Sequence, residues 1–486
     1  MRHTRSSQNT LETDVLVLGA GLAGLRAAMA AKETAPDLRV TLVSPHARPA
    51  GSSFANRNNA LGLQVPQPHE ADAFVAEALR LAAPGLAVPE LVQALAEDAP
   101  ACLEFLLSLG LAFRCDPDGS LRRFPGCFSS IPRAVVFDGL AQAHAAILAR
   151  ARALGVEVVH GFEALALTQE EPGARVSGAV LSALRGPLAG RRTLAVRARS
   201  VVAALGGPAP LFARRICGPG GSGLAYGLLA SAGARLVNTT FLQWFWVETR
   251  SLAFVNPGEL VWPSQLAHLA QARLAHCPMA HGLVLDDAAL DLDLISRQGP
   301  GGVVHVEHRQ RGPLDLVLAA HAGNGGALID IHGRTSVAGL YACGECASGM
   351  HGANRLGGGM VLSALAFGAR AGKAAAEETA TVEAAGKPDQ DRDGSWPNVG
   401  ADRGADMGAK TGQEASTGLL RWLRPGMQRF GLPGAAQNPA RQAFVARLRS
   451  ITDVAQDDFR AGRRERLLAR SALAILEGSS VQDGQS

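Results

Sequence analysis

The chain has 486 residues, of which 47% are hydrophobic and 19% charged, an ordinary globular balance long enough for two to four domains. A net charge of +4 spread over scattered basic residues argues against a nucleic-acid partner. Seven widely spaced cysteines, an odd number, argue against a disulfide framework.

The polar start Met1–Thr10 has no apolar core of a secretion signal, and no stretch approaches the ~18 apolar residues of a membrane span. A cytoplasmic protein without a transmembrane segment is expected. The apolar run Val15–Leu18 then leads straight into Gly19-Ala20-Gly21-Leu22-Ala23-Gly24, and Leu25–Ala31 continues as a helix. In such a G-x-G-x-x-G turn Gly19 serves the tight bend, Gly21 lets a pyrophosphate approach and Gly24 lets helix and strand pack closely. A second strand at Arg39–Val43 completes the dinucleotide-binding pattern. Its end carries Ser44 where an NAD site would place an acid, so Ser44 is the ribose candidate and the position does not favour NAD.

Residues 69–110 have a helical period. Phe137-Asp138-Gly139 starts a helix to about Leu154, and a strand begins at Gly155–Val159. Alternating segments at Phe162–Gln169, Arg175–Leu184 and Thr193–Val196 predict a small antiparallel sheet, separate from a buried strand Arg199–Leu205 that ends in Gly206-Gly207. Residues 241–320 hold most of the tryptophans in irregular periodicity and read as an insertion. Strand patterns return at Ala327–Ile331 and Gly339–Ala342. A helix Met360–Thr379 follows, then a Gly/Asp/Ala-rich tract read as a flexible linker, then helices to about Leu476. The arginine-dense run Arg460–Arg470 falls in the last helix and reads as a solvated face.

Between the strand ending at Ala342 and the helix from Met360 lies the densest chemical signal, Gly344-Glu345-Cys346 through His351-Gly352-Ala353-Asn354-Arg355. It sets an imidazole, an amide and a guanidinium on a small-residue turn beside a helix start, an arrangement suited to holding an anion against a cofactor. Cys343 and Cys346 have a C-x-x-C spacing, but they sit where a strand enters this loop and are not assigned to a metal.

In order and motif, these pieces resemble the flavoprotein family of fumarate reductase, succinate dehydrogenase and L-aspartate oxidase. The resemblance rests on the glycine triplet, Gly51-Ser52-Ser53, Phe137-Asp138-Gly139, Ala204-Leu205-Gly206-Gly207, Gly333-Arg334-Thr335, the Gly339–Glu345 run and the HGANR segment. It implies an α/β fold: a three-layer, Rossmann-like FAD-binding domain with a parallel sheet over 11–240 and 321–380. An α+β capping domain over 241–320 interrupts it; a linker over 381–416 and a small C-terminal helical region over 417–478 follow.

It further implies hydride transfer between flavin N5 and a small carboxylic acid, L-aspartate or a C4-dicarboxylate. FAD would contact Gly19, Gly21, Gly24, Ser44, Ser52, Ser53, Gly206, Gly207, Glu345, Gly359, Met360 and Val361. Arg355 would hold a carboxylate, with His351 and His321 as further catalytic candidates. Ser52 falls where respiratory members carry a flavin-linked histidine, which implies non-covalent FAD. The implied alternatives are a flavoprotein subunit with an electron-transfer partner protein, and a catalytically inactive flavin-binding regulatory or structural subunit.

The departures from the family lie in the insertion and just after Arg355. Its F-x-Q-F-H-P motif reads Phe241-Leu242-Gln243-Trp244-Phe245-Trp246, so a substrate-binding histidine becomes Phe245. Arg250, Arg297, Arg309 and Arg311 are the candidates for the cap's proton donor. Trp244 and Trp246 are read either as pocket wall or as core. After Arg355, Ser-Asn-Ser-Leu becomes Gly358-Gly359-Met360-Val361, which keeps backbone donors but loses side chains.

Overall fold

A computed structural model describes residues 10–184, 193–273, 279–280, 288–384, 412–432, 438–453 and 462–478. Its centre is a seven-stranded sheet. Thr10–Leu18 pairs in parallel with Val40–Ser44 on one side and Thr193–Ala203 on the other; Glu157–His160 and Leu340–Ala342 extend the parallel part. Val15–Leu18 is buried on both faces, as an all-apolar run in a covered parallel sheet requires. The helices Leu22–Thr34 and Gly359–Ala384 pack closely together over it.

The separate antiparallel sheet expected at 162–196 is not separate. Thr193–Ala203 is one strand, whose N-terminal half takes Gly178–Ala183 and then Phe162–Thr168 as antiparallel neighbours. On the edge away from Thr10–Leu18 the parallel partner Leu340–Ala342 covers only 201–203, and the hairpin pairs the rest of that edge from its N-terminal end.

The inserted segment forms a four-stranded antiparallel sheet from Leu242–Glu248, Met279–Ala280, Val303–His308 and Gly312–Gly323, with the helices Ser264–Ala272 and Ala288–Ser296 beside it. The strand Gly312–Gly323 runs unbroken across the boundary placed at 320/321, so the cap sheet delivers residues directly to the loop after it. A buried ion pair, Arg273 to Asp291 at 2.6 Å, anchors a helix here, and Trp246 Nε1 donates to the same carboxylate at 2.9 Å.

The helix from Gly359 extends to Ala384 and the next begins at Gly412; most of the expected linker, 385–411, lies outside the described residues. The arginine-rich last helix, Arg463–Glu477, corrects the reading of a solvated face. Arg464 pairs with the buried Glu163 at 2.7 Å, Arg463 donates to the Leu165 carbonyl at 2.6 Å, and Arg470 donates to Ser231 at 2.6 Å. The approach is close: a Cβ on Gly227 would lie 2.1 Å from the Leu467 carbonyl oxygen. The guanidinium groups therefore dock this helix, a use that charge density alone does not distinguish from exposure.

Candidate active site

A cavity of about 740 Å³ runs from the glycine turn after the first strand to Arg355 and the cap strand, a volume in the range of cofactor sites. At the first end Gly19 has φ +118°, and a Cβ on Gly24 would meet the Gly19 carbonyl oxygen at 1.9 Å. Turn and helix are thus locked together without side chains. The helix from Leu22 has no side-chain cap and no acid in its first turn, which leaves N–H groups for an anion. Ser53 Oγ accepts from Leu22 N at 3.3 Å, and Ser52 and Ser53 line the cavity. Ser44 lines it too, but its hydroxyl donates to the His46 carbonyl at 2.9 Å and is engaged within its own turn.

Midway, Glu345 lines the cavity while its carboxylate accepts from Gly323 N at 3.0 Å and from Gly207 N. Burial raises its pKa, and those two N–H groups and Arg355 pull it back. Gly206, Met360 and Val361 face the cavity, whereas Gly207 and Gly359 do not line it. Gly207 contributes its N–H; Gly359 starts the helix whose first turn carries no acid. These features fit FAD: phosphate-accepting N–H groups at one end, a carboxylate for a hydroxyl in the middle, and a helix start at the other.

At the far end Arg355 is buried. Its Nη1 donates to the Asn324 side chain and to the Gly323 carbonyl, and among the described residues no carboxylate pairs with it. Burial brings its pKa down to about 10, which still leaves a full positive charge at neutral pH. A buried guanidinium held by neutral groups favours an anionic ligand. His321 lines the cavity with its ring 4.6 Å from that of Phe245, and its Nδ1 has no hydrogen-bond partner among the described residues. Burial and then Arg355 lower its pKa to about 3, so the imidazole is neutral across the physiological range.

His351 is placed differently. It does not line the cavity; its Nε2 lies 3.4 Å from Ser363 Oγ, and its carbonyl accepts from Asn238. Burial, then Arg355, lowers its pKa to about 3 as well. Of the three catalytic candidates, Arg355 and His321 therefore share the cavity and His351 supports the loop from behind.

None of Arg250, Arg297, Arg309 and Arg311 lines the cavity; Arg297 pairs with Asp293 and Arg311 with Glu248. Strand alternation settles the aromatic run. Gln243, Phe245 and Val247 face the cavity, while Trp244 and Trp246 point to the core, Trp244 edge-on to Phe212 at 4.9 Å. The sequence reading missed Asn324, which lies inside the His321–Gly326 turn and holds Arg355, and Cys127 and Arg57, which line the cavity from loops. No spacing marks the last two; only the fold brings them there.

A family model described as "FAD binding domain" matches residues 14–253 and 284–361. A curated L-aspartate oxidase of Caulobacter vibrioides is 32% identical over 407 residues, 75% of this chain and 76% of that protein. Among solved structures, Mycobacterium smegmatis Sdh1 in complex with UQ1 has a TM-score of 0.70 at 21% identity, covering 96% of this chain and 85% of that one. A point mutant of the FrdA chain of E. coli quinol fumarate reductase has 0.67 at 19%, covering 97% and 88%. The last two likenesses show the fold. Cavity, motifs and matches converge on one assignment: this chain belongs to the FAD-dependent oxidoreductase family of L-aspartate oxidase and the succinate dehydrogenase and fumarate reductase flavoproteins.

Proposed function

We propose that the protein oxidises a small carboxylic acid whose carboxylate rests on Arg355, with L-aspartate and C4-dicarboxylates as the reference substrates by similarity to its relatives. The observation that carries this reading is the buried Arg355, which makes no direct ion pair among the described residues, Glu345 acting on it only at longer range, at the inner end of an FAD-sized cavity. FAD, when bound, would supply a two-electron acceptor for the hydride of a substrate C–H bond, with the proton of the adjacent substrate atom released to water.

The chain's own residues do the positioning. When FAD binds, the free N–H groups at the start of the helix from Leu22 would hold the pyrophosphate, Glu345 would accept from a ribityl hydroxyl, and the helix start at Gly359–Val361 would favour negative charge on the ring. His321, neutral, hydrogen-bonds the acid rather than pairing with it as a cation. Asn324 keeps the Arg355 fork in register, and His351 stiffens the loop that carries it. Ser52 in place of a flavin-linked histidine supports non-covalent FAD. The electron acceptor is oxygen or a partner protein, and the location is the cytoplasm.

The test is anaerobic addition of L-aspartate, dicarboxylates and other carboxylic acids to the purified yellow protein, with flavin bleaching as the readout. Arg355→Ala should lower kcat/KM by about 10²–10³-fold while FAD stays bound. Wild-type turnover in that variant removes Arg355 from the reaction. A wild-type flavin that no carboxylic acid bleaches removes the function.

A further inference from the structure

We infer that the acid this enzyme takes carries an apolar group, rather than a second carboxylate, on the side facing the cap. This rests on the reading above that a carboxylate sits on Arg355, and it moves the preferred substrate from the dicarboxylate reference compounds to apolar monocarboxylic acids. Beyond His321 the cavity wall is made by Phe245, Val247, Leu252, Phe254 and Ile216. Phe245 is the hub: its ring lies 4.6 Å from the His321 ring and 4.9 Å, edge-on, from the Phe254 ring. Ile216, Phe245 and Leu252 pack on Val247, Val317 and Ala319 in a small cluster distinct from the main core, yet all three remain only partly buried. The apolar surface they leave uncovered faces the cavity.

Leu252 adds a second, independent sign. It holds φ +54°, a left-handed backbone that a bulky residue adopts only under constraint. Such outliers collect where a side chain must be aimed, and here the side chain lines the cavity. The polar groups near this wall are few and carry no buried charge: His321 is neutral, and two others are partly engaged. Gln243 Nε2 donates to Asn354 Oδ1 at 3.0 Å, and Arg57 is exposed and donates to the Ser251 carbonyl at 3.1 Å. A second carboxylate placed on the Phe245 ring would give up its water for an apolar surface, whereas a hydrocarbon group would gain contact there.

Calorimetry of the holoenzyme with inert acids tests this separately from turnover. Butanoate, pentanoate and hexanoate should bind with affinity rising roughly fourfold per methylene. Phenylacetate should bind at least about tenfold more tightly than malonate or glutarate, and Phe245→His should narrow or invert that ratio. Dicarboxylates that bind as tightly as the monocarboxylates, or more tightly, overturn the narrowing, and the parent function survives if L-aspartate or succinate still bleaches the flavin. An FAD-loaded protein that binds and oxidises neither class overturns both.

Discussion

The cofactor half and the cap half of this cavity are built by different means. Around Gly19–Gly24 the chain fixes its geometry with backbone: turn oxygens, N–H groups and missing Cβ atoms, with Ser53 as one of few side chains in contact. Across the cap the same cavity is bounded by side chains on alternate strand positions, with Gln243, Phe245 and Val247 inward and Trp244 and Trp246 outward. Backbone sites tolerate little change because no rotamer can relieve a clash. Side-chain walls can change identity while the strand stays put.

The largest expected effect tests the backbone half. In Gly24→Val the new Cβ would fall 1.9 Å from the Gly19 carbonyl oxygen, against backbone that cannot step aside. Helix and turn must separate, and the purified protein should lose its flavin absorbance relative to protein absorbance or fail to fold. A stable variant with a full complement of FAD would show that the turn is not rigid.

That asymmetry also explains what could be read from the sequence. The glycine triplet, the strand before it and the helix after it are local, and each sits where its pattern placed it. Arg355 and His321 were legible as residue types in motifs, but their shared cavity, and the placement of His351 behind it, depend on how a loop folds between Asn238 and Ser363. The strand Thr193–Ala203 was divided in two because its partners change midway, which single-strand periodicity does not register. The reading of a solvated face fails over 463–470, the part of the run among the described residues, for a related reason: the acceptors of Arg463, Arg464 and Arg470, namely Leu165, Glu163 and Ser231, lie more than 200 residues away.

In the cap the sharper probe is the pair beneath the tryptophan face. Arg273 and Asp291 are both almost fully buried, and Trp246 shares the carboxylate. Arg273→Ala leaves a buried acid without its cation, and denaturant unfolding of the holoenzyme should show a loss of about 3–5 kcal/mol. Arg273→Met combined with Asp291→Asn removes both charges, keeps an acceptor for Trp246 Nε1, and should recover most of it. FAD content should stay unchanged in both, because neither residue lines the cavity. A single variant within ~1 kcal/mol of wild type would mean that the cap does not depend on this pair.

The smallest expected effect lies where the two halves meet. Arg57, in the loop that follows Ser53, donates to the Ser251 carbonyl of the cap at 3.1 Å, and both loops border the cavity. The bond is exposed, so water replaces it readily and its net worth is small. Arg57→Ala should leave global unfolding unchanged within error and raise amide hydrogen exchange in the 249–254 peptide by roughly two- to fivefold. If exchange rises equally in the glycine-turn peptide at 19–24, the two halves open together and the division between backbone-built and side-chain-built walls does not extend to their motions. If it rises only in the cap, the wall that faces the substrate is also the wall that moves, as expected where a loop is tied to the rest of the molecule by an exposed guanidinium rather than by packed backbone.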